Sequence, residues 1–104
     1  MSITISNDTI AAQATPSGEG GIAIVRLSGS RCGEILLRVF RPKNGRPLAA
    51  RVLTFGHVMD GSAVVDEAMA VRFPAPHSYT REDVAEIHCH GSDALVRRIL
   101  LLLL

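Results

Sequence analysis

The chain holds only two cysteines, Cys32 and Cys89. Two thiols cannot build the disulfide framework of a small secreted scaffold, so a reducing, cytoplasmic setting is expected. An excess of charge is also lacking: eleven Lys and Arg stand against ten Asp and Glu, a formal net charge of +1. Neutralising a phosphate backbone needs a clustered positive face, and nucleic-acid binding by these residues alone is therefore not expected. The apolar end Ile99–Leu104 has six residues, far short of the roughly 20 that span a bilayer, and no membrane association is expected. Met1 to Thr15 has neither a basic start nor a long apolar core, which argues against a secretory leader. The Walker phosphate-loop pattern is absent, so nucleotide hydrolysis is not supported within these residues.

What is present suits one domain, 1–104. The length of 104 residues and the 47% hydrophobic fraction allow a real core without disulfides or metal. No Gly, Asn or Pro stops the final leucine run, so a helix there lacks an ordinary C-cap. A domain ending in such a run would leave apolar side chains in water, and the expectation is an N-terminal domain truncated from a longer protein.

Taken in order, Asp8–Thr15 reads as a short first strand before the turn 16–21, where Gly18, Gly20 and Gly21 favour unusual backbone conformations or a close approach. Gly21–Gly29, GIAIVRLSG, is apolar on both faces except for Arg26, the pattern of a central strand covered on both sides. Ser30 is placed to cap a helix carrying Ile35, Leu36, Val39 and Phe40 and ended by Pro42. After a polar connection, Val52–Met59 and Ala63–Phe73 form a hairpin through Asp60-Gly61-Ser62. The prolines of Phe73-Pro74-Ala75-Pro76 require an extended run, and Thr80 with Asp83 resembles a capping box starting one helical turn. Alternation in Val84–Gly91 puts Glu86, His88 and His90 on one face and Ala85, Ile87 and Cys89 on the other. Ser92 or Asp93 caps a last helix with Leu95, Val96, Ile99, Leu100 and Leu103 inward. The order β-β-α-β-β-turn-β-α implies an α+β two-layer sandwich, its sheet mostly antiparallel or mixed, with two helices.

Several stretches invite a chemical reading. The glycine-rich turn leads into a strand, whereas phosphate cradles lead into a helix, so a tight turn is the better reading. His88-Cys89-His90 contains three good ligand types, but strand geometry turns Cys89 away from the two histidines; a two-histidine site completed by Glu86 is the one metal arrangement left, packed or hydrogen-bonded histidines are the commoner outcome, and no metal site is assigned. Cys89 lies on the apolar face, where thiols are inert. Arg26 is a charge in an apolar strand and needs an anion or carbonyls, and Glu86 is its natural counterpart. The two either form a structural ion pair between strands or receive a ligand. A carboxylate accepts paired hydrogen bonds from the amidine-like edge of a pterin or guanine ring, and a guanidinium suits a ligand carbonyl or carboxylate. Neither is a nucleophile, so the site binds and no catalytic residue is assigned.

Two segments carry a family resemblance. DTIAAQATPSGEGGIAIVRLSG, from Asp8 to Gly29, and FPAPHSYTREDVAEIHCHG, from Phe73 to Gly91, closely resemble the N-terminal domain of the MnmE or TrmE family of tRNA-modification GTPases. Both are long, gapless and in the family's order; the middle of the chain matches less distinctively. The resemblance implies a fold similar to the folate-binding domain of the glycine-cleavage T-protein and a homodimer formed through this domain. It implies binding of 5-formyl- or methylene-tetrahydrofolate, with Arg26 and Glu86 as contacts and His90 and Gly91 lining the same cleft. It further implies a parent that binds GTP, magnesium and potassium through a domain outside these residues. With a flavin-dependent partner enzyme, that parent modifies the wobble uridine of tRNA. Relatives often carry a second glycine after the His-Gly pair; Ser92 stands there in this chain, which would make the loop into the last helix less free.

Overall fold

The computed structural model describes residues 2–6, 9–15, 20–76 and 82–104. Alternating Ser-Ile-Thr-Ile-Ser forms the first strand, β1 (Ser2–Ser6), and β2 (Thr9–Gln13) and β3 (Ile22–Ser28) follow. Helix α1 (Cys32–Val39) runs directly into β4 (Phe40–Pro42). Then come β5 (Thr54–Asp60), β6 (Ala63–Phe73), β7 (Val84–His90) and α2 (Asp93–Leu102). The seven strands make one sheet in the order β1-β2-β3-β7-β6-β5-β4, with every pairing antiparallel. The domain is thus α+β, with a seven-stranded antiparallel sheet and two helices among the described residues.

Both helices cover the same sheet face. Ala23, Val25 and Leu27 of β3 stand level with Cys89, Ile87 and Ala85 of β7, and these six are buried with Ile35 and Leu36 of α1 and Val96, Ile99 and Leu100 of α2. Small residues such as Ala11, Ala23, Ala68, Ala70 and Ala85, all buried, let the helices sit close to the strands. Among the described residues the other face has no helix on it. It carries Ile10, Ile22, Ile24, Arg26, Glu86, His88, Met69 and Phe55, placed there by register.

Several expectations are corrected. β1 and β4 escape the sequence reading, and the order is β-β-β-α-β-β-β-β-α. Among the described residues the strand around Arg26 is not covered on both sides, since Ile22 is 67% exposed. Ser30 does not cap α1; Arg31 holds that position without a side-chain cap bond. The backbone N–H of Arg31 donates to Oγ1 of the fully buried Thr9 at 3.2 Å, so support for this helix start comes from β2. The helix stops at Phe40, whose extended backbone begins a strand; Pro42 ends that strand instead. Thr80 and the proposed turn at 80–81 lie outside the described residues, while Glu82 and Asp83 are not helical. At the last helix the cap is Ser92, whose Oγ accepts from the Leu95 N–H at 3.4 Å. The hairpin between β5 and β6 turns through Gly61 and Ser62, with Gly61 at φ 60°, a conformation that favours glycine.

Candidate functional site

Arg26 and Glu86 meet where the two central strands pair. Their Cα atoms are register partners between β3 and β7, and both side chains project onto the helix-free face. Arg26 donates through Nε at 2.9 Å and Nη2 at 2.7 Å, both to Oε2 of Glu86. The second carboxylate oxygen, Oε1, lies 2.9 Å from Nε2 of His88, two residues along the same strand. A guanidinium, a carboxylate and an imidazole therefore form one chain. Glu86 is largely enclosed, its side chain 13% exposed, while that of Arg26 is 34% exposed.

Burial by itself would raise the Glu86 pKa. The hydrogen bonds from His88 and Arg26, and the charges of both, outweigh it and hold the carboxyl below its ordinary value. Glu86 is thus an anion prepared to accept hydrogen bonds at neutral pH, each oxygen having more than one lone-pair direction.

Beside this chain is a hollow of about 390 Å³ whose lining includes Ile22, Leu53, Phe55, Met69, His88 and His90. His88 belongs to both features: one side faces Glu86 and the other the hollow. His90 is at the far end, its Nδ1 2.8 Å from Asp66 Oδ1 and its backbone N–H donating to Asp66 Oδ2 at 3.1 Å. The two histidines are engaged with different carboxylates, and among the described residues no group of three His, Cys, Asp or Glu is arranged to hold a metal. Gly91 is bound to the glycine turn, its N–H donating to Gly21 and its carbonyl accepting from Gly20. A Cβ on Gly91 would overlap the Gly20 carbonyl. The need for glycine here is a close backbone approach, which clasps the turn before β3 to the end of β7.

Of the four residues singled out in the sequence, Arg26 and Glu86 are joined, and His90 lines the hollow that His88 connects to them. Arg26, Glu86 and Gly91 do not themselves line the hollow; Gly91 bonds through its backbone to Gly21, which does. Sequence reasoning did not find Leu53, Phe55, Met69 or Asp66. Phe55 and Met69 are cross-strand partners, which only a fixed hairpin register reveals, and Asp66 lies 24 positions from His90.

Cys89 and Cys32 are buried and free. Burial, and then the charge of Asp66 for Cys89 or of Asp83 for Cys32, pushes each thiol up to about 11, so neither is a thiolate at neutral pH. Among the described residues no helix is long and apolar enough to cross a membrane.

Comparison with known families adds a second kind of observation. Residues 9–104 match the family described as GTP-binding protein TrmE N-terminus. The tRNA modification GTPase MnmE of Symbiobacterium thermophilum is 49% identical over 100 residues, covering 92% of this chain and 22% of the relative. Its counterpart in Chloroflexus aurantiacus is 56% identical over 87 residues, 82% of this chain and 19% of the relative. The Lactococcus lactis protein is 45% identical over all 104 residues and 23% of its own length. The chain thus spans about a fifth of the length of these relatives. With 96 of its residues matched, this chain belongs to the TrmE N-terminal family.

Proposed function

We propose that this domain binds a tetrahydrofolate derivative on its helix-free face, with Arg26 and Glu86 as the polar anchors, and that it forms a homodimer. The observation that carries the reading is the Arg26–Glu86–His88 chain opening beside an apolar hollow. Glu86 supplies the anionic acceptor that the N–H and NH2 edge of a pterin ring requires, and Arg26 offers a cation to a ligand carbonyl or carboxylate. Phe55, Leu53 and Met69 provide the apolar wall that a flat ring buries against. His90 borders the same space, and Gly91 keeps the adjoining turn in place. The ligand when bound supplies a one-carbon unit; these residues hold and orient it. A fold similar to that of the glycine-cleavage T-protein's folate domain is part of the same reading.

The parent protein, by this reading, is a cytoplasmic GTP hydrolase that acts with a flavin-dependent enzyme on the wobble uridine of tRNA, giving a 5-carboxymethylaminomethyl type of product. GTP, magnesium and potassium do not fit the residues present, because no phosphate-loop pattern occurs among them. They are assigned to a GTPase domain outside this chain.

A second reading is favoured by one observation: Arg26 and Glu86 touch each other directly. In it the pair only fastens β3 to β7 beneath a dimer interface, and the domain is a scaffold. Calorimetry with 5-formyl-tetrahydrofolate separates the two. Saturable heat supports the ligand site, whereas a flat titration with an intact dimer supports the scaffold.

A further inference from the structure

Asp66 directs both of its carboxylate oxygens at one residue, His90. The register between β5 and β6 slips just beside it: Val58 stands opposite Asp66 but Met59 opposite Val64, which leaves Val65 without a partner. A bulge of this kind re-aims the neighbouring side chain. The ladder between β6 and β7 runs from Met69 to Phe73, so Asp66 lies past its end and reaches His90 through its side chain alone. Oδ1 is 2.8 Å from the ring Nδ1, and Oδ2 accepts the His90 backbone N–H at 3.1 Å. The Asp66 side chain is 12% exposed, against 70% for His90, and the next residue, Gly91, is clasped to the glycine turn. The imidazole is therefore held at its backbone and at one ring edge while the other edge is open.

An ionised carboxylate only accepts hydrogen bonds, so the hydrogen of the neutral His90 ring sits on Nδ1 and Nε2 keeps its lone pair. Among the described residues Nε2 has no hydrogen-bond partner. His88 is arranged the opposite way: its Nε2 faces Oε1 of the anionic Glu86, which leaves Nδ1 as the acceptor of the neutral ring. Both histidines line the hollow, and its remaining polar side chain is Glu67; Lys, Arg, Ser, Thr, Asn, Gln and Tyr do not occur in its lining. Acceptors set in apolar walls suit a flat ring that brings N–H donors. A reduced pterin carries ring N–H groups where the oxidised ring has bare acceptor nitrogens. A bare nitrogen opposite His90 Nε2 would set two lone pairs against each other and leave both without a hydrogen bond.

We propose that Asp66 fixes the tautomer of His90 so that His90 Nε2 accepts a ring N–H of the ligand, and that this pair selects reduced over oxidised pterins. His90 touches the ligand, and Asp66 is a positioning residue that acts through it. The selection rests on the reading of this face as a tetrahydrofolate site given above; the tautomer of His90 does not.

The test is calorimetry with 5-formyl-tetrahydrofolate and with folic acid, at about pH 8, above the ordinary imidazole range, on wild type, His90→Asn and His90→Gln. The asparagine amide can replace Nδ1–H toward Asp66 but puts nothing at the Nε2 position. The glutamine amide oxygen can reach the Nε2 position but leaves Asp66 without its ring N–H. Wild type should prefer the reduced ligand. His90→Asn should bind it about three- to tenfold more weakly, the usual worth of one hydrogen bond, with folic acid changed less than about twofold. His90→Gln should retain most of the preference while losing more thermal stability than His90→Asn. Binding that follows the order of stability instead, with His90→Gln the weaker binder, or a wild type that binds both ligands equally, would overturn the proposal. Nitrogen-15 NMR of the imidazole should find the hydrogen on Nδ1 in wild type and on Nε2 in Asp66→Ala. A wild-type ring with its hydrogen on Nε2 would overturn the role of Asp66, whether or not the variant folds. A flat titration of wild type defeats the folate reading as a whole, whereas heat that His90→Asn leaves unchanged defeats this inference alone.

Discussion

At the scale of single residues, the chain is organised by where it buries ionisable groups. Glu86 ionises more readily in the folded domain than in the unfolded chain, because His88 and Arg26 outweigh the burial that opposes its charge. Its ionisation therefore favours folding above the unfolded glutamate value, near about pH 4.3, and that contribution is lost as pH falls through the lower folded value. The stability difference between wild type and Glu86→Gln should shrink on acidification across that range, as followed by urea unfolding at a series of pH values. A constant difference would mean that the hydrogen bonds to Glu86 do not depend on its charge. The thiols run the other way: with both raised to about 11 by burial and a nearby carboxylate, neither should react with iodoacetamide at pH 7.5 until the chain unfolds. Mass spectrometry after native and denatured labelling checks this, and rapid native alkylation would contradict the burial. Alternation along Val84–Gly91 was enough to place Glu86 and Cys89 on opposite faces. That His88 bonds to Glu86 while His90 bonds to Asp66 was not legible, since the choice depends on a distant strand.

At the scale of elements, the ends of strands and helices are where sequence and structure part. The hairpin, β7 and the second helix all lie where periodicity and turn residues put them. β4 was missed because Phe40, read as the last apolar residue of a helix, instead starts an edge strand three residues long. β1 was missed although Ile3 and Ile5 alternate, because the recognisable segment begins after it. Ser30 is not the cap, and at the helix start the Arg31 N–H instead donates to Thr9 of β2 from across the fold, a tertiary contact that local sequence cannot display. Ser92 succeeded, and Ser92→Ala should destabilise the domain by about 1 kcal/mol, the usual cost of losing an N-cap oxygen. Thermal unfolding measures it; no change would mean the 3.4 Å cap bond contributes nothing. Gly91→Ala should cost more, about 1–3 kcal/mol, because the added methyl enters space held by the Gly20 carbonyl. If that variant were fully stable, the clasp between the turn and β7 would be loose.

At the scale of the whole molecule, the asymmetry of the sheet matters most. One face is sealed by two helices, while the other leaves Ile10, Ile22 and Phe55 at least 39% exposed around the half-buried carboxylate of Glu86. The apolar pattern of β3 led to the expectation of cover on both sides, and among the described residues none supplies the second cover. A second copy of the domain is the cover proposed here, so light scattering should give twice the monomer mass, and Ile22→Glu should shift the particle toward monomer while the fold persists by circular dichroism. A monomeric wild type would remove dimerisation from the proposal. The family was legible in two long segments because they hold the glycine clasp, Arg26 and Glu86 together; the hollow was not, because its walls come from the less distinctive middle.

Whether Arg26 and Glu86 receive a ligand or only each other is decided by titrating 5-formyl-tetrahydrofolate into wild type and Glu86→Ala in a calorimeter, with thermal unfolding of both recorded in parallel. The ligand site predicts saturable heat for wild type and a loss of about 1.5–3 kcal/mol of binding free energy in the variant, the cost of removing a charged hydrogen-bond partner. Equal affinity in the two proteins, with only the melting temperature lowered, would contradict it.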